Sequence, residues 1–499
     1  MLPQIVKDAN KRFGERIAIE NESSLTLTYK ELDKISDEVT WGLSQKGLKE
    51  GSLLLLSIPS GIEYLLLYIA AAKLGIITAG INPRLKKTER LSITEASGPD
   101  LILATEDLTD GIPNDYKVEI LYIAEDASTL LKSFRSSGHE PPELKQNVDR
   151  PVCICFTTGS TGLPKGALFT NSQLIAIKEM DTGGIWGGDG HLVPGTALPH
   201  VGSMTKIPWQ IFSGTTFHLL DRWRPDSLLS LIEKHRISAV AGVSAQIALL
   251  LKTEKFDSYD LNCVKAIVAG GGPSSLSLVN RAQKKFNAPY SIRYSSTESG
   301  GIGLATPFNS SDEEDFSTIG KPRDGVKAQI RDQENRTLNT NEIGELWLKT
   351  PSAMNSYWND PENTKKTLLN GWLKTGDLAR IDEQGRYCLT GRTTEMYIRG
   401  GYNVYPQEVE SVLSSHTDIE QLVIVPKPHP ILGEIGVAFV VLSTPHASIG
   451  VDILKSYGRE ELADYKLPEE VVIMNKLPLN SGHKIDRKTL SEHNIFKTG

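Results

Sequence analysis

Short apolar segments alternate with helical patterns from the N-terminus to about residue 320. The segments Leu101–Ala104, Val118–Ile123, Ile237–Val243 and Val264–Val268 are typical, and each precedes an amphipathic or small-residue stretch. Such alternation is the pattern of parallel β-sheets whose faces are covered by helices. The sequence therefore predicts an α/β protein with a large, multi-layer body of helix-covered sheets.

The spacing of the strand patterns becomes shorter after residue 320. Ala328–Arg331, Gly344–Lys349 and Gly385–Leu389 are closely spaced apolar segments separated by turn residues. This spacing predicts an antiparallel subregion within the same body.

A polar, glycine-rich stretch at 391–401 marks a domain boundary. The tail after it contains a helical pattern, two apolar strand patterns and another helical pattern, and its length of about 105 residues suits a small domain. We therefore predict an N-terminal body over residues 1–390 and a small, mobile α+β C-terminal domain over residues 391–499.

Composition excludes several classes of partner. Lys and Arg number 54 and Asp and Glu number 61, which gives a net charge of −7 with no basic block. Neither a nucleic acid nor an anionic membrane surface is favoured by this balance. The four cysteines form no disulfide framework, which is typical of a reduced compartment.

The N-terminus lacks the uninterrupted apolar region of a signal peptide. The most apolar stretch, at 53–81, is broken by Pro59, Glu63 and Lys73, so we read it as a strand, a core helix and a strand rather than a membrane span. These observations predict a soluble, cytoplasmic protein.

The segment Phe156–Gly166 has the sequence FTTGSTGLPKG, which carries the strongest chemical signal. Its glycines permit tight turns with inward amides, and its hydroxyls and Lys165 add donors, a combination that suits a triphosphate. The kinase-type phosphate loop is absent, because Pro164 and Gly166 flank the lysine where that motif requires Gly and Ser or Thr. A simple Ser/Gly turn is the alternative interpretation.

Further motifs follow this loop in a consistent order along nearly the whole chain. They are Leu198–Gly202, Gly270–Pro273, Tyr294–Glu298, Gly344–Leu346, Tyr357–Asn359, Gly371–Asp377, Gly391–Arg392, Gly400–Pro406 and Lys484–Arg487. Together with the loop they resemble the adenylate-forming superfamily, which includes acyl- and aryl-CoA synthetases, peptide-synthetase adenylation domains and luciferases. The number of motifs in register makes chance agreement negligible.

The resemblance implies a set of residues that bind ATP and Mg²⁺. Tyr294 would stack on adenine, Asp377 would accept the ribose hydroxyls, Arg392 would assist at ribose or phosphate, Thr297 would donate to the α-phosphate and Glu298 would hold Mg²⁺. The whole ATP set comprises Thr157, Thr158, Gly159, Ser160, Thr161, Gly162, Lys165, Gly270, Gly271, Gly272, Tyr294, Ser295, Ser296, Thr297, Asp377, Arg392 and Lys484.

The resemblance also implies catalytic residues and a pocket for the acid. Lys484 would neutralise the acid carboxylate and the α-phosphate in the transition state, with Thr297 and His200 as the other catalytic residues. The pocket would comprise His200, Val201, Ser203, Lys206, Val243, Gly272 and Gly300.

Two pocket residues have alternative interpretations. His200 would flank the acyl carboxylate, whereas a lone histidine on an apolar segment is more often a core residue. Lys206 would contact a polar group at the far end of the acid if 202–206 is helical, whereas the alternative is a lysine whose ammonium reaches solvent.

The chain departs from the superfamily pattern at several positions. His483 stands between Gly482 and the catalytic lysine, and Thr394 occupies the hinge position where an acidic or basic residue is usual. Asn171 stands where a histidine often follows the phosphate loop. None of these departures removes a charge that the reaction needs.

The predicted function is ATP-dependent activation of a small carboxylic acid as an acyl-adenylate, with release of pyrophosphate. Transfer to a thiol would follow, either of CoA or of the phosphopantetheinyl arm of a separate acyl carrier protein. A luciferase-like enzyme that does not ligate a thiol shares every motif. A catalytically silent nucleotide-binding homologue is disfavoured because Glu298, Asp377, Arg392 and Lys484 are all present.

Overall fold

The structure is a computed structural model that describes residues 1–136, 138, 141–157, 164–181, 190–308, 310, 312–393, 395–444, 446–480 and 484–493. The helices are α1 (Leu2–Phe13), α2 (Tyr29–Gln45), α3 (Ile62–Leu74), α4 (Lys87–Ser97), α5 (Asn171–Asp181), α6 (Val201–Met204), α7 (Ile207–Phe212), α8 (Pro225–His235), α9 (Ser244–Leu251), α10 (Leu276–Phe286), α11 (Pro361–Thr367), α12 (Pro406–Leu413), α13 (Val451–Gly458) and α14 (Arg487–Ser491). The first strands are β1 (Ile17–Asn21), β2 (Thr26–Thr28), β3 (Leu53–Ser57), β4 (Ile77–Gly80), β5 (Leu101–Ala104), β6 (Val118–Ile120), β7 (Pro151–Thr157), β8 (Lys165–Thr170), β9 (His191–Leu192), β10 (Thr216–Leu219), β11 (Ala239–Val243), β12 (Ala266–Gly270) and β13 (Tyr290–Tyr294). The later strands are β14 (Leu304–Ala305), β15 (Lys321–Pro322), β16 (Lys327–Arg331), β17 (Gly344–Lys349), β18 (Ser356–Tyr357), β19 (Leu368–Leu369), β20 (Trp372–Ile381), β21 (Tyr387–Arg392), β22 (Tyr397–Arg399), β23 (Tyr402–Val404), β24 (Ile419–His429), β25 (Gly433–Leu442) and β26 (Glu470–Ile473).

Three sheets of the body contain the predicted parallel strands. Their orders are β18-β8-β7-β4-β3-β5-β6, β11-β12-β13-β14-β15 and β2-β1-β10-β9. Pairing is parallel from β7 through β6, among β11, β12 and β13, and among β1, β10 and β9. The α/β prediction is confirmed.

The predicted antiparallel subregion is also present. Strands β16, β17, β20, β19 and β21 form an antiparallel sheet in which Asp377 of β20 is the register partner of Arg392 of β21. A separate small α+β domain follows, with the sheet β23-β22-β25-β24, strand β26 beside β25, and helices α12, α13 and α14. The boundary between residues 390 and 391 stays a prediction.

Helix α3 lies at the centre of the body core. All of its residues are buried, as are those of β3 and β4 on either side, so the strand-helix-strand prediction for 53–81 is confirmed. The charge of Lys73 within this helix is neutralised by Asp33 and Asp37, each with a carboxylate oxygen 2.6 Å from its Nζ. Among the described residues, none of the helices combines the length and apolar character that a membrane span requires.

Candidate active site

The polar residues of the candidate site lie where parallel strands end. Thr157, Gly270 and Tyr294 are the last residues of β7, β12 and β13. In open α/β sheets, ligands bind beyond the carboxyl ends of the strands. A cleft of about 2210 Å³ opens there and is lined by residues of both the body and the C-terminal domain.

Most of the predicted site residues line this one cleft. They are Thr157, Lys165, His200, Val201, Ser203, Lys206, Val243, Gly270, Gly271, Gly272, Tyr294, Ser295, Ser296, Thr297, Glu298, Asp377, Arg392 and Lys484. Six predicted positions, namely Thr158, Gly159, Ser160, Thr161, Gly162 and the hinge residue Thr394, lie outside the described residues, as does His483.

Among the described positions, Gly300 is the one predicted site residue that does not line the cleft. It is buried with φ of +70°, and a Cβ atom there would lie 2.3 Å from the carbonyl oxygen of Ser352. The glycine is therefore required by close backbone packing behind the cleft wall. Gly301 rather than Gly300 lines the cleft, and a role for Gly300 in the acid pocket stays a prediction.

Asp377 is held in the cleft by two donors. The Tyr294 hydroxyl donates to its Oδ2 at 2.6 Å, and Nε of Arg392 lies 2.9 Å from its Oδ1. Burial and the Asp377 charge raise the pKa of Tyr294, and the same carboxylate raises the pKa of Arg392. A carboxylate offers about four lone-pair positions, so this oriented group keeps acceptor capacity for the two hydroxyls of a ribose.

A second cluster of polar residues, Lys165, Tyr357 and Glu298, also lines the cleft. The Nζ of Lys165 lies 3.4 Å from Oδ1 of Asn363 and 5.5 Å from the ring centroid of Tyr357. The Tyr357 hydroxyl donates to Oε1 of Glu298 at 2.8 Å. This contact orients a half-buried carboxylate beside a lysine, a donor set that fits Mg²⁺ bound by one carboxylate and phosphate oxygens.

Lys484 enters the cleft from the C-terminal domain. Leu479 and Ile485 pair across a β-bridge, and the Lys484 N–H donates to Oδ1 of Asn480 at 3.1 Å. Gly271 has φ of +72°, and a Cβ atom built there would lie 3.6 Å from Cε of Lys484. The lysine side chain therefore passes directly over the glycine turn that ends β12.

The environment of Lys484 lowers its pKa. Desolvation in the cleft has the largest effect, although the residue keeps substantial solvent exposure, and the neighbouring Arg392 adds to it, while Asp377 and Glu298 act in the opposite direction. An incoming polyphosphate would place further negative charge beside this ammonium and stabilise its charged form.

The lowered pKa of Lys484 predicts that activity declines at a lower alkaline pH than an ordinary lysine would give. We expect kcat/KM for adenylate formation to fall as the pH rises through the Lys484 pKa, which lies below the ordinary lysine value of 10.5. An arginine stays protonated, so Lys484→Arg should move this limb to higher pH whatever its effect on the maximal rate. Lys427→Arg, at a partly buried pair with Glu470 away from Lys484, is the control and should leave the profile unchanged. An unchanged limb in Lys484→Arg would contradict the assignment.

The His200 ring is oriented by Asn82, a residue that the sequence analysis did not single out. The backbone N–H of Arg84 donates to Oδ1 of Asn82 at 3.0 Å, which turns the amide Nδ2 toward Nε2 of His200 at 2.8 Å. His200 is half-buried, occupies the N-cap position of α6 without a side-chain capping hydrogen bond, and lines the cleft. A catalytic role for His200 stays a prediction.

Lys206 has neither of its two predicted environments in full. The predicted continuous helix is interrupted, since α6 ends at Met204 and α7 begins at Ile207. The Lys206 side chain is buried rather than extended to solvent, and its Nζ lies 2.8 Å from Oδ2 of Asp181. The solvent-exposed alternative is therefore wrong, and a substrate contact by Lys206 stays a prediction.

Several residues around the cleft escaped the sequence analysis. Tyr357 belonged to a quoted motif, but its contact with Glu298 was not predicted. Asn82 and Asp181 had no local signal, because their partners are remote along the chain.

A two-domain α/β fold with these residues in the cleft between its domains is that of an adenylate-forming enzyme. The chain belongs to the AMP-binding enzyme family, whose sequence profile matches residues 6–358. The profile of the AMP-binding enzyme C-terminal domain matches residues 408–484.

Its relatives are similar over nearly the full length. The 2-succinylbenzoate–CoA ligase of Bacillus subtilis is 28% identical over 484 residues, covering 96% of this chain and 95% of that one. A fatty acid–[acyl-carrier-protein] ligase of Streptomyces coeruleorubidus is 27% identical, covering 94% of this chain and 91% of the relative. The structure of o-succinylbenzoate CoA synthetase from Bacillus subtilis with its acyl-adenylate has a TM-score of 0.82 at 26% identity, covering 98% of each chain.

Proposed function

We propose that this protein activates a small carboxylic acid with ATP and then transfers the acyl group to a thiol. The observation that carries this proposal is the position of Lys484, which the C-terminal domain delivers to the cleft containing Glu298, Asp377 and Arg392. In the first step a carboxylate oxygen attacks the α-phosphorus, and the bond to the pyrophosphate oxygen breaks. In the second step the thiol sulfur attacks the acyl carbonyl, AMP leaves and the thiol proton is released.

Each cleft residue has a role in the first step. Asp377 would orient the nucleotide through its ribose hydroxyls, and Thr297 would donate to the α-phosphate. Lys484 and Lys165 would offset the repulsion between the two anionic reactants. Glu298 would hold Mg²⁺, which when bound neutralises phosphate charge.

The thiol acceptor is proposed as CoA, with a carrier protein's phosphopantetheine as the second candidate. The similarity to ligases named for both acceptors supports keeping both. A non-ligating, luciferase-like activity would stop at the adenylate.

The experiment is a pyrophosphate-release assay over a panel of aliphatic, aryl and dicarboxylic acids with ATP and Mg²⁺, each with and without CoA. We expect acid-dependent pyrophosphate with at least one acid class, and a CoA thioester when CoA is present. Asp377→Ala is the matched control and should reduce release with every acid. No release with any acid, together with no rise in Tm on adding Mg²⁺ and ATP, would contradict the proposal.

Amino acids are not expected to be substrates. The stretch 201–206 offers no carboxylate to an α-ammonium, and the nearby Asp181 is already paired with Lys206 and Arg323. An unpaired buried ammonium costs several kcal/mol, so kcat/KM should fall by a factor of at least about 10². The check compares 3-phenylpropanoate with phenylalanine, and other acids with their α-amino analogues, in pyrophosphate exchange. Faster exchange with the amino acids would overturn this prediction.

A further inference from the structure

Three histidines meet on a sheet other than those that end in Thr157, Gly270 and Tyr294, and two of them, His191 and His235, line the same large cleft. His191 lies on β9, His218 on the neighbouring β10 and His235 at the end of α8. One nitrogen from each imidazole lies within 4.8 Å of the others, and the ring centroids are 4.0 to 5.0 Å apart. Nδ1 of His191 and Nε2 of His218 are 2.8 Å apart.

The topology explains this convergence. Strand β10 runs parallel to both β1 and β9, and Glu20 of β1 is the register partner of His218. Oε2 of Glu20 lies 3.5 Å from Nδ1 of His218 and 3.8 Å from Nε2 of His235. The cluster therefore combines three imidazoles with one carboxylate that faces two of them.

The cluster leaves buried polar atoms unsatisfied. His218 is only 1% exposed, and neither its Nδ1 nor the buried Nε2 of His235 makes a hydrogen bond with any described part of the chain. A buried polar atom without a partner is costly. If these histidines only filled the core, we would expect their buried nitrogens to have hydrogen-bond partners.

The cluster lies among other titratable and charged groups. Burial, followed by the charges of His235 and His191, lowers the pKa of His218 to about 3. Burial also has the largest effect on His191 and His235 and lowers the pKa of both. Nearby cations are Arg16 and Lys234, whose Nζ lies 3.3 Å from Oε1 of Glu20. The geometric arrangement of the three imidazole nitrogens, each a possible metal ligand, is what the cluster offers to a transition metal.

We propose that His191, His218 and His235 form a binding site for one divalent transition-metal ion of the Zn²⁺ type. Imidazole nitrogens suit Zn²⁺ and its neighbours, whereas Mg²⁺ prefers oxygen. Tetrahedral Zn–N bonds of 2.0–2.1 Å place ligand nitrogens about 3.3 Å apart. The observed nitrogen spacings bracket that value, and the exposed side chain of His191 provides a path from solvent.

Glu20 is assigned as the positioning carboxylate of this site. It faces Nδ1 of His218, so it can orient that ring while Nε2 binds the metal. A metal bound here would connect β1, β9, β10 and α8. This inference does not depend on the proposed function, because none of the four residues has a role in it.

The test is calorimetric titration of the tag-free full chain with Zn²⁺, and separately with Mg²⁺. We expect about one Zn²⁺ per chain and no Mg²⁺ binding at this site. His191→Ala and His235→Ala should weaken Zn²⁺ binding at least about tenfold, and Glu20→Gln by about 10- to 100-fold. His446→Ala removes an exposed histidine elsewhere and should bind as the wild type does.

Two further measurements support this test. Zn²⁺ should raise the Tm of the wild type and of His446→Ala, but not of His191→Ala, because a ligand of the native state stabilises it. When Co²⁺ replaces Zn²⁺, the wild type should show the visible absorption of tetrahedral coordination. His191→Ala and His235→Ala should not show it. Equal Zn²⁺ affinity in the wild type, His191→Ala and His235→Ala, with all three folded by circular dichroism, would overturn the proposal.

Discussion

Replacing Lys484 by alanine is expected to slow adenylate formation by a factor of about 10² to 10³, the usual cost of losing one transition-state contact. Thioester formation from a supplied acyl-adenylate should stay near the wild-type rate. The reason is that Lys484 belongs to the C-terminal domain, which we predict rotates away from the body for the second step. Single-turnover assays of the two half-reactions, each started from its own substrate, measure the separation directly.

The control for this experiment is Lys455→Ala in the same domain. Lys455 pairs with Glu469, which keeps Arg399 as a second partner when the lysine is removed. Both half-reactions should therefore remain close to wild type in the control. Equal losses of both half-reactions in Lys484→Ala would contradict a two-state use of the domain.

Local signals in the sequence predicted much of the fold. Leu101–Ala104 is an apolar run bounded by turn residues, and it forms β5 with the same bounds. Gly344–Lys349, a second predicted strand segment between turn residues, forms β17 with the same bounds. In both cases the determinants lie within a few residues, so periodicity and turn chemistry were sufficient.

The contacts of the candidate site depended on distant residues. Tyr294 and Asp377 were each predicted from a motif, but their hydrogen bond spans 83 positions and was not predictable from either. The histidine cluster illustrates the same limit, because 191, 218 and 235 have no metal-ligand spacing along the chain. The three histidines come together because β9 pairs with β10 in parallel and α8 ends beside these two strands.

Asp181 is the centre of a charge cluster in the wall of the cleft. Its carboxylate lies 2.8 Å from Nζ of Lys206 and 3.1 Å from a guanidinium nitrogen of Arg323. Burial by itself raises the pKa of Asp181, but the two cations outweigh it and hold the pKa below its ordinary value of 3.8. The stabilisation is therefore complete above that value and is lost as the pH falls through the lowered pKa.

Lys206→Met should lower the free energy of unfolding by less than removal of the Asp181 carboxylate would. Asp181 would keep Arg323 as its partner, so no buried charge would be left alone.

The Lys206→Met variant also tests the predicted contact between Lys206 and the acid substrate. A selective loss for a dicarboxylic or hydroxylated acid over its plain analogue would support that contact, and an unchanged preference would contradict it.

Asp181→Asn is expected to lower the free energy of unfolding by about 3–5 kcal/mol, because it leaves the buried Lys206 and the partly buried Arg323 without their counter-charge. Urea unfolding at neutral pH measures this loss. Asp257→Asn is the matched control, since Asp257 pairs with Lys285 at the surface with 79% of its side chain exposed. An exposed pair contributes at most about 1 kcal/mol. A loss in Asp181→Asn no larger than in the control would show that water or a rearranged neighbour neutralises Lys206 and Arg323, and the assignment of Asp181 as their counter-charge would be wrong.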